Sequence, residues 1–141
     1  MFLDWSMAFD RIDHTALLGS LRRLGMPSRY LDIIADLYTD PSFVVSNNAA
    51  PEGHGKCFAG IRQGCPLSPY LFIMVMTVLM HDVEAKMLQQ GTPNTTWSYR
   101  HSSFDVEYAD DTLLFANTPQ QMQALCSAVE TQAKRYGLSL K

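Results

Sequence analysis

The sequence is poor in the features that several common protein classes require. Its 141 residues contain three cysteines, Cys57, Cys65 and Cys126, an odd number at wide spacing that favours neither a disulfide framework nor a zinc site. Basic residues are also few: eleven Lys and Arg stand against fourteen Asp and Glu, for a net charge of −3. A small protein that held nucleic acid through phosphate contacts alone would usually be basic. Charge by itself therefore does not indicate a nucleic-acid binder.

Signals for secretion and for membrane insertion are missing as well. The first residues lack the basic region that opens a secretory signal. The longest apolar run, residues 70–80, is shorter than the roughly 20 residues that cross a bilayer. The sequence predicts an intracellular protein, nuclear or cytoplasmic and not secreted, with no membrane partner.

Hydrophobic residues make up 47% of the chain, which is enough for a real core. Apolar periodicity, turn residues and capping residues predict the order of elements. The predicted elements are a strand over 1–5, helices beginning near Asp13 and Pro27, a hairpin of strands 42–46 and 56–59 around a turn at 47–55, a core helix with Ser68 as N-cap running to about 90, a loop over 91–103, strands 104–107 and 112–116 around a turn at 108–111, a helix capped by Thr118 and ended by Gly137, and a strand start over 138–141. This order predicts an α+β fold with helices packed on one face of a small, mostly antiparallel sheet.

The most informative residues are acids inside apolar strands. Asp4 lies between Leu3 and Trp5, and Asp110 and Asp111 interrupt two β-rich runs. An isolated carboxylate is disfavoured there unless it is paired, protonated or bound to metal, and adjacent carboxylates repel each other. A divalent cation would remove both problems. Ordinary turn chemistry also explains two adjacent Asp residues, and Asp4 alone could be a strand-end residue with a local hydrogen bond.

Four segments in order resemble the motifs of reverse transcriptases. Residues 108–111 (YADD), between hydrophobic strands, look like motif C, and residues 2–10 (FLDWSMAFD) resemble motif A, in which an aromatic follows the Asp by five positions. Residues 60–69 (GIRQGCPLSP) are similar to motif B of non-LTR retrotransposons, and residues 136–140 (YGLSL) resemble the opening of motif D. The resemblance covers essentially the whole chain and identifies it as a polymerase palm of the LINE-like type.

The resemblance implies an RNA-directed DNA polymerase that transfers a nucleotide from a dNTP to a primer 3′-hydroxyl on an RNA or DNA template. It implies two Mg²⁺ ions, for which Mn²⁺ can substitute, because hard cations prefer carboxylate oxygens and a pair of them can act on both sides of an in-line displacement. Their implied ligands are Asp4, Asp110, Asp111 and the backbone carbonyl of Trp5.

Other residues receive implied roles in substrate binding. An aromatic ring at position 9 would crowd a 2′-hydroxyl and so favour dNTP over NTP. The implied nucleotide-binding residues are Phe9, Arg62, Gln63 and Gly64, and the implied primer contacts are Tyr108 and Ala109. From the residues alone, an aromatic such as Phe9 is more often part of the core, an arginine such as Arg62 is most often a solvated loop charge, and residues 63–64 could simply form a turn into the next helix. Asp10 and Asp13 are interpreted as local caps, and the four histidines as scattered.

The resemblance also implies that residues 1–141 are a partial palm, with motifs A, B, C and the start of D but without fingers or thumb. Those regions supply most of the basic contacts to nucleic acid, so their absence accounts for the acidic balance and predicts weak or no activity of this segment alone. Met7 stands where the family often has Lys, and Lys141 is not expected to replace the motif D lysine. The alternatives are a non-catalytic retroelement remnant, an RNA-dependent RNA polymerase palm, which Phe9 disfavours, and an unrelated metal-dependent nuclease.

Overall fold

The computed structural model describes residues 1–47, 50–89, 104–108 and 111–141, and for residues 43–47 and 50–54 it describes the backbone only. The predicted loop over 91–103 lies outside these ranges. The elements in chain order are β1 (Phe2–Leu3), α1 (Ala8–Arg11), α2 (His14–Arg23), α3 (Ser28–Tyr38), β2 (Ser42–Asn47), β3 (Ala50–Lys56), α4 (Ser68–Gln89), β4 (Asp105–Tyr108), β5 (Asp111–Leu114), α5 (Pro119–Ala133) and a 3₁₀ turn (Lys134–Tyr136).

The sheet that matters for function is antiparallel, with strand order β1-β5-β4. On one side of β5, Leu3 pairs with Thr112, and on the other side Glu107 pairs with the same residue. Trp5 forms a further antiparallel bridge with Leu140 along the opposite edge of the N-terminal segment. The predicted strand start over 138–141 is therefore confirmed as a bridge, and the segment from residue 2 to residue 6 runs between two pairing partners.

Helix α4 forms the centre of the core. It is apolar nearly all round, which is typical of a helix buried on most of its surface, and it packs against α2 and α5. Its fully buried side chains include Leu71, Phe72, Val75, Leu79 and Val83. The helices cover one face of the β1-β5-β4 sheet, and the predicted α+β fold with a small antiparallel sheet is confirmed.

Capping residues begin two helices where the sequence predicts them. The Asp13 carboxylate accepts a hydrogen bond from the Ala16 amide at 2.8 Å, and the Thr118 hydroxyl accepts one from the Gln121 amide at 3.2 Å. Each contact satisfies a backbone N–H group that has no partner within its helix. Both helix starts are thus local properties of the sequence.

Three local predictions are wrong. Strand β3 occupies most of the stretch predicted as a turn, because it pairs with β2 in a ladder that runs from Ser42 opposite Lys56 to Val45 opposite Gly53. Cross-strand pairing overrides the low β-propensity of the glycines there. Helix α1 was not predicted, since four residues are too few to show helical periodicity. Ser68 lies inside α4 instead of capping it, and its hydroxyl donates to the Arg62 carbonyl at 2.7 Å.

Candidate active site

The two acidic segments meet on the sheet. Leu3 pairs with Thr112 at the end of β1, so Asp4 and Asp111 are the next residues of two adjacent segments, and Tyr108 pairs with Asp111 from the other side. Residues opposite each other in antiparallel strands have Cα atoms about 4.5–5.5 Å apart. Asp110 precedes Asp111 directly and, with Ala109, lies outside the described residues.

Side chains along the strands alternate between the two faces of the sheet, and this alternation decides which of these residues are exposed. Leu3 and Thr112 are buried against the helices, whereas Asp4, Asp111 and Tyr108 are exposed on the opposite face. Side chains of consecutive strand residues point to opposite faces of a sheet, so the two carboxylates share the open face. An exposed pair of carboxylates is accessible to a cation and to substrate.

Trp5 and Lys141 lie next to Asp4, one of the two exposed acids on this face. Trp5 is buried, and its neighbour Asp4 accepts a backbone hydrogen bond from the Lys141 amide at 2.9 Å through its carbonyl. The Lys141 ammonium also lies 3.0 Å from a carboxylate oxygen of Asp4, with both side chains largely exposed. Exposed ion pairs contribute little to stability, so this lysine does not prevent a divalent cation from taking the carboxylate.

The loop that resembles motif B packs directly on α1. The Gly60 amide donates to the Ile12 carbonyl at 2.8 Å, and the Ile61 amide donates to the Phe9 carbonyl at 2.7 Å. Gly60 has φ +90°, and a Cβ atom there would lie 2.7 Å from the backbone of Asp10. Glycine is therefore required at this position both for its backbone conformation and for the close approach of the two segments.

A cavity of about 550 Å³ opens between these segments. Phe9 lines it and also stacks on the buried Phe72, with ring centroids 4.6 Å apart and an interplanar angle of 13°. The ring therefore belongs to the core and to the cavity at once. The other lining residues are Arg62, Gln63, Gly64, Cys65, Pro66, Ser68 and Pro69. The structure thus brings together all four residues assigned to nucleotide binding.

Arg62 and Gln63 are anchored. The Arg62 guanidinium donates to the Leu37 carbonyl in the last turn of α3 at 3.0 Å, and the Gln63 amide nitrogen donates to the Asp10 carboxylate at 2.9 Å. Both residues also line a second cavity of about 460 Å³ on the other side of the loop. Arg62 is exposed, as expected for a charge on a loop, and its head group also ties the loop to α3.

Two ionisable groups near the site are shifted by their surroundings. The backbone N–H groups of Leu67 and Ser68 at the start of α4 lower the pKa of the Cys65 thiol. Burial raises the pKa of Glu107 to about 7, with a smaller contribution from Asp105. Neither pKa shift could be predicted from the sequence, since each depends on contacts that form only in the folded chain.

Two residues interpreted as local or scattered join the site. Asp10 holds Gln63, as described, and Nε2 of His14 lies 2.7 Å from the Gly60 carbonyl oxygen. Their only sequence signal is their position within or just after the motif A segment. Within the described ranges, which omit Asp110, no three His, Cys, Asp or Glu side chains gather as a group that could hold a metal. In the same ranges no helix combines the length and apolar character needed to cross a membrane.

Comparison with known proteins shows what this chain is similar to. The polyprotein of the R2DM type-2 retrotransposable element of Drosophila melanogaster is 29% identical over 139 residues, which is 98% of this chain and 12% of that protein. The Pol polyprotein of the R2 element of Nasonia vitripennis is 29% identical over 138 residues, 98% of this chain and 13% of its own length. An uncharacterized 149 kDa protein of transposon TX1 from Xenopus laevis is 29% identical over 121 residues, 81% of this chain and 8% of its own.

The chain therefore spans about one eighth of the R2 polyproteins it resembles. All of residues 1–141 match the protein family described as reverse transcriptase (RNA-dependent DNA polymerase). The antiparallel sheet, the exposed residues Asp4 and Asp111 and the loop packed on α1 are consistent with this match. This chain belongs to the reverse transcriptase family.

Proposed function

We propose that residues 1–141 carry the catalytic palm of an RNA-directed DNA polymerase of the non-LTR retrotransposon type. The observation that supports this most strongly is the sheet register: Leu3 pairs with Thr112, so Asp4 and Asp111 are the next residues of two neighbouring segments, and Asp111 follows Asp110. Segments more than a hundred residues apart thereby bring exposed acids to one edge of the same sheet.

The donor set fits magnesium. Carboxylate oxygens on adjacent strands are the hard ligands that Mg²⁺ prefers, and an exposed position lets the ion keep several waters. The residues that would hold two ions are Asp4, Asp110 and Asp111, with the Trp5 carbonyl as an additional ligand. When bound, such ions would polarise the primer 3′-hydroxyl and neutralise the departing pyrophosphate. Asp111 is the first residue of β5 and Asp4 directly follows β1, so paired strands hold the backbone of these two residues, and strands position ligands better than loops do.

The cavity beside Phe9 would receive the dNTP. In the reaction the primer 3′-oxygen bonds to the α-phosphorus, the bond to pyrophosphate breaks, and the 3′-hydroxyl proton passes to solvent. Stacking on Phe72 prevents Phe9 from turning away, so its ring would exclude a ribose 2′-hydroxyl. Arg62, Gln63 and Gly64 would border the nucleotide. Tyr108 and Ala109 would contact the primer end, which is consistent with the exposed position of Tyr108.

The partners of this site would be an RNA or DNA template with its primer, and a dNTP. Proteins that bind nucleic acid through their own phosphate contacts usually carry a net positive charge, whereas this chain has a net charge of −3. We therefore propose that residues 1–141 act as a partial palm, containing motifs A, B, C and the start of D. Most phosphate contacts would come from fingers and thumb regions outside this segment.

Metal binding tests the acidic site independently of polymerisation. We expect Asp110→Asn to weaken Mn²⁺ binding at least tenfold by titration calorimetry without unfolding the chain. Asp32→Asn, which removes an exposed carboxylate on α3, is the matched control and should leave the affinity unchanged. Equal Mn²⁺ affinity in both variants would refute the metal assignment.

Primer extension tests the activity. The polypeptide that carries this sequence, with any flanking segments it has, should extend an annealed primer with dNTPs in Mg²⁺, and Asp110→Asn should abolish extension. Processive synthesis by residues 1–141 alone would contradict the partial-palm proposal.

A further inference from the structure

Two polar contacts connect the motif A segment to the motif B loop, and each is made by a side chain, His14 or Asp10, that has no assigned role in the proposed nucleotidyl transfer. They are the contact of His14 with the Gly60 carbonyl and the contact of Asp10 with the Gln63 amide. Both cross more than forty positions of sequence, and both end in the loop that lines the cavity beside Phe9. This pair of contacts is called the loop clamp below.

The His14 contact has a defined direction. The Gly60 oxygen is a carbonyl and can only accept, so Nε2 of His14 donates the hydrogen bond across 2.7 Å. His14 is the first residue of α2, and its ring lies against the Tyr38 ring with centroids 4.8 Å apart. Its imidazole is therefore held between α3 and the loop. The clamp reaches the loop at Gly60, whose backbone is already hydrogen-bonded to Ile12 at the end of α1.

The Asp10 contact fixes a side chain. Oδ1 of Asp10 accepts from the Gln63 amide nitrogen at 2.9 Å, although both residues are exposed. Gln63 lines both cavities, so the direction of its amide affects what either cavity presents to a ligand. A long polar side chain that is already held loses less conformational freedom when a ligand binds.

The two contacts add to restraints that already hold part of the loop, namely the backbone hydrogen bonds of Gly60 and Ile61 to the α1 segment and the Arg62 contact with α3. Gly60 has φ +90° and Gly64 has φ +83°, and glycine loses more conformational freedom on ordering than any other residue. A Cβ atom added at Gly64 would meet nothing within 4 Å, so this part of the loop is loosely packed. Without the clamp, more of the loop and of the Gln63 side chain would have to be ordered when a nucleotide binds.

We propose that His14 and Asp10 are positioning residues that pre-order the motif B loop for nucleotide binding. This inference rests on the proposed polymerase function. His14 holds the loop backbone at Gly60, and Asp10 holds the side chain of Gln63 at the cavity. Neither residue touches the reacting atoms. Their loss should therefore raise the KM for dNTP far more than it lowers kcat.

Hydrogen exchange tests the backbone half of the clamp without any activity measurement. The Gly60 and Ile61 amides should exchange at least tenfold faster in His14→Ala than in the unchanged protein. His14→Gln keeps a donor nitrogen at similar reach and should restore most of the protection. Ser20→Ala is the matched control, because it removes a buried hydroxyl of the same helix that donates to the Ala16 carbonyl within that helix. Equal exchange at Gly60 in His14→Ala and Ser20→Ala would overturn the role of His14.

A double-mutant cycle tests the side-chain half. In the active polypeptide, Asp10→Ala should raise the KM for dNTP at least fivefold with kcat changed less than twofold, and Asp10→Asn, which keeps the acceptor oxygen, should stay near the original values. Asp10→Ala should have little further effect in a Gln63→Ala background. Independent effects of the two substitutions, or equal falls in kcat and kcat/KM, would refute the role of Asp10.

The two proposals fail in different ways. Absence of primer extension by the unchanged polypeptide would refute the polymerase function, while the exchange experiment would still decide whether His14 orders the loop. Normal extension with unaltered KM in the clamp variants would refute the clamp and leave the polymerase function intact.

Discussion

Nε1 of Trp5 donates a hydrogen bond to Oγ1 of Thr112 at 3.0 Å, across 107 positions of sequence. Both residues are buried, with 2% and 0% of their surfaces exposed. The bond lies on the covered face of the sheet, directly beside the positions where Asp4 and Asp111 meet on the open face. It therefore connects the strand that carries one carboxylate to the hairpin that carries the others.

Trp5→Phe should lower the free energy of unfolding by about 2–3 kcal/mol, because it leaves a buried hydroxyl without its donor and removes part of a large packed side chain. Urea denaturation followed by circular dichroism measures the change. In a Thr112→Val background the same substitution should cost clearly less, since both polar partners are then gone. Strictly additive losses in the double variant would contradict an energetic link between these two residues.

Features that depend on a few consecutive residues were predictable from the sequence. Asp13 and Thr118 cap their helices because a short polar side chain can reach an amide two or three positions ahead, whatever the rest of the chain does. The hairpin of β4 and β5 follows from two β-rich runs around a short polar turn. The meeting of Asp4 with this hairpin was predictable only through the resemblance to reverse transcriptases, since nothing local specifies which strands become neighbours.

Features that depend on distant contacts were not predictable. His14 and Asp10 sit at helix starts, where polar residues are expected to act locally, and only the folded chain brings the loop at Gly60 and Gln63 against them. The raised pKa of Glu107 has the same origin, because a glutamate in a strand is buried or exposed according to what packs on its face. Strand β3 forms although its glycines have low β-propensity, because its backbone pairs with β2.

Gly60→Ala should be among the most damaging single-methyl additions in this protein. A Cβ atom would lie 2.7 Å from three backbone atoms of Asp10, which no side-chain movement can relieve, and the φ of +90° is strained for any other residue. We expect the free energy of unfolding to fall by about 3 kcal/mol or more. Thermal denaturation of the variant measures the loss.

Two other glycines provide controls for this prediction. Gly64→Ala meets no atom within 4 Å but has φ +83°, so only the backbone strain remains, about 1–2 kcal/mol. Gly19→Ala lies inside α2 with open space and should stabilise the protein by about 0.5–1 kcal/mol. A Gly60→Ala variant no less stable than Gly64→Ala would show that α1 and the loop are not in tight contact.

Asp82 should make the protein sensitive to strong acid. Hydrogen bonds from Arg23, and secondarily from Tyr136, lower the pKa of Asp82 to about 2 from 3.8. The folded state therefore favours the ionised form, so this stabilisation is fully present above about pH 4 and is lost as the pH falls toward 2. Asp82→Asn should reduce the free energy of unfolding at pH 7 by about 1–2 kcal/mol and flatten its pH dependence below pH 4.

Denaturant titrations at several pH values measure that effect. Asp36→Asn, on an exposed residue of α3, is the matched control and should leave the acid limb of the curve unchanged. Burial, and secondarily the hydrogen bond that its hydroxyl donates to Asp82 at 2.6 Å, raises the pKa of Tyr136 to about 12. An unaltered acid limb in Asp82→Asn would disprove the contribution of this cluster.

Glu107 should give the opposite pH dependence. It pairs with Thr112 on β5, and one of its carboxyl oxygens is buried without a hydrogen-bond partner among the described residues. Burial, and to a smaller extent the charge of Asp105, raises its pKa to about 7 from 4.5. The folded state thus favours the neutral acid, so the stabilisation is complete below about pH 4.5 and is lost as the pH rises through 7.

Glu107→Gln should consequently increase the free energy of unfolding at pH 8 by about 1–3 kcal/mol, because a neutral amide replaces a buried charge of similar shape. Below pH 4.5 the two proteins should be nearly equal in stability. Glu130→Gln, on an exposed glutamate of α5, is the control and should leave the curve from pH 5 to pH 8 unaltered. The contrary result would be that the free energy of unfolding of Glu107→Gln and that of the unchanged protein change with pH in the same way between pH 5 and pH 8. That result would mean that the carboxyl group of Glu107 is ionised in the folded state. Glu107 would then place a negative charge on the covered face of the sheet, next to Thr112.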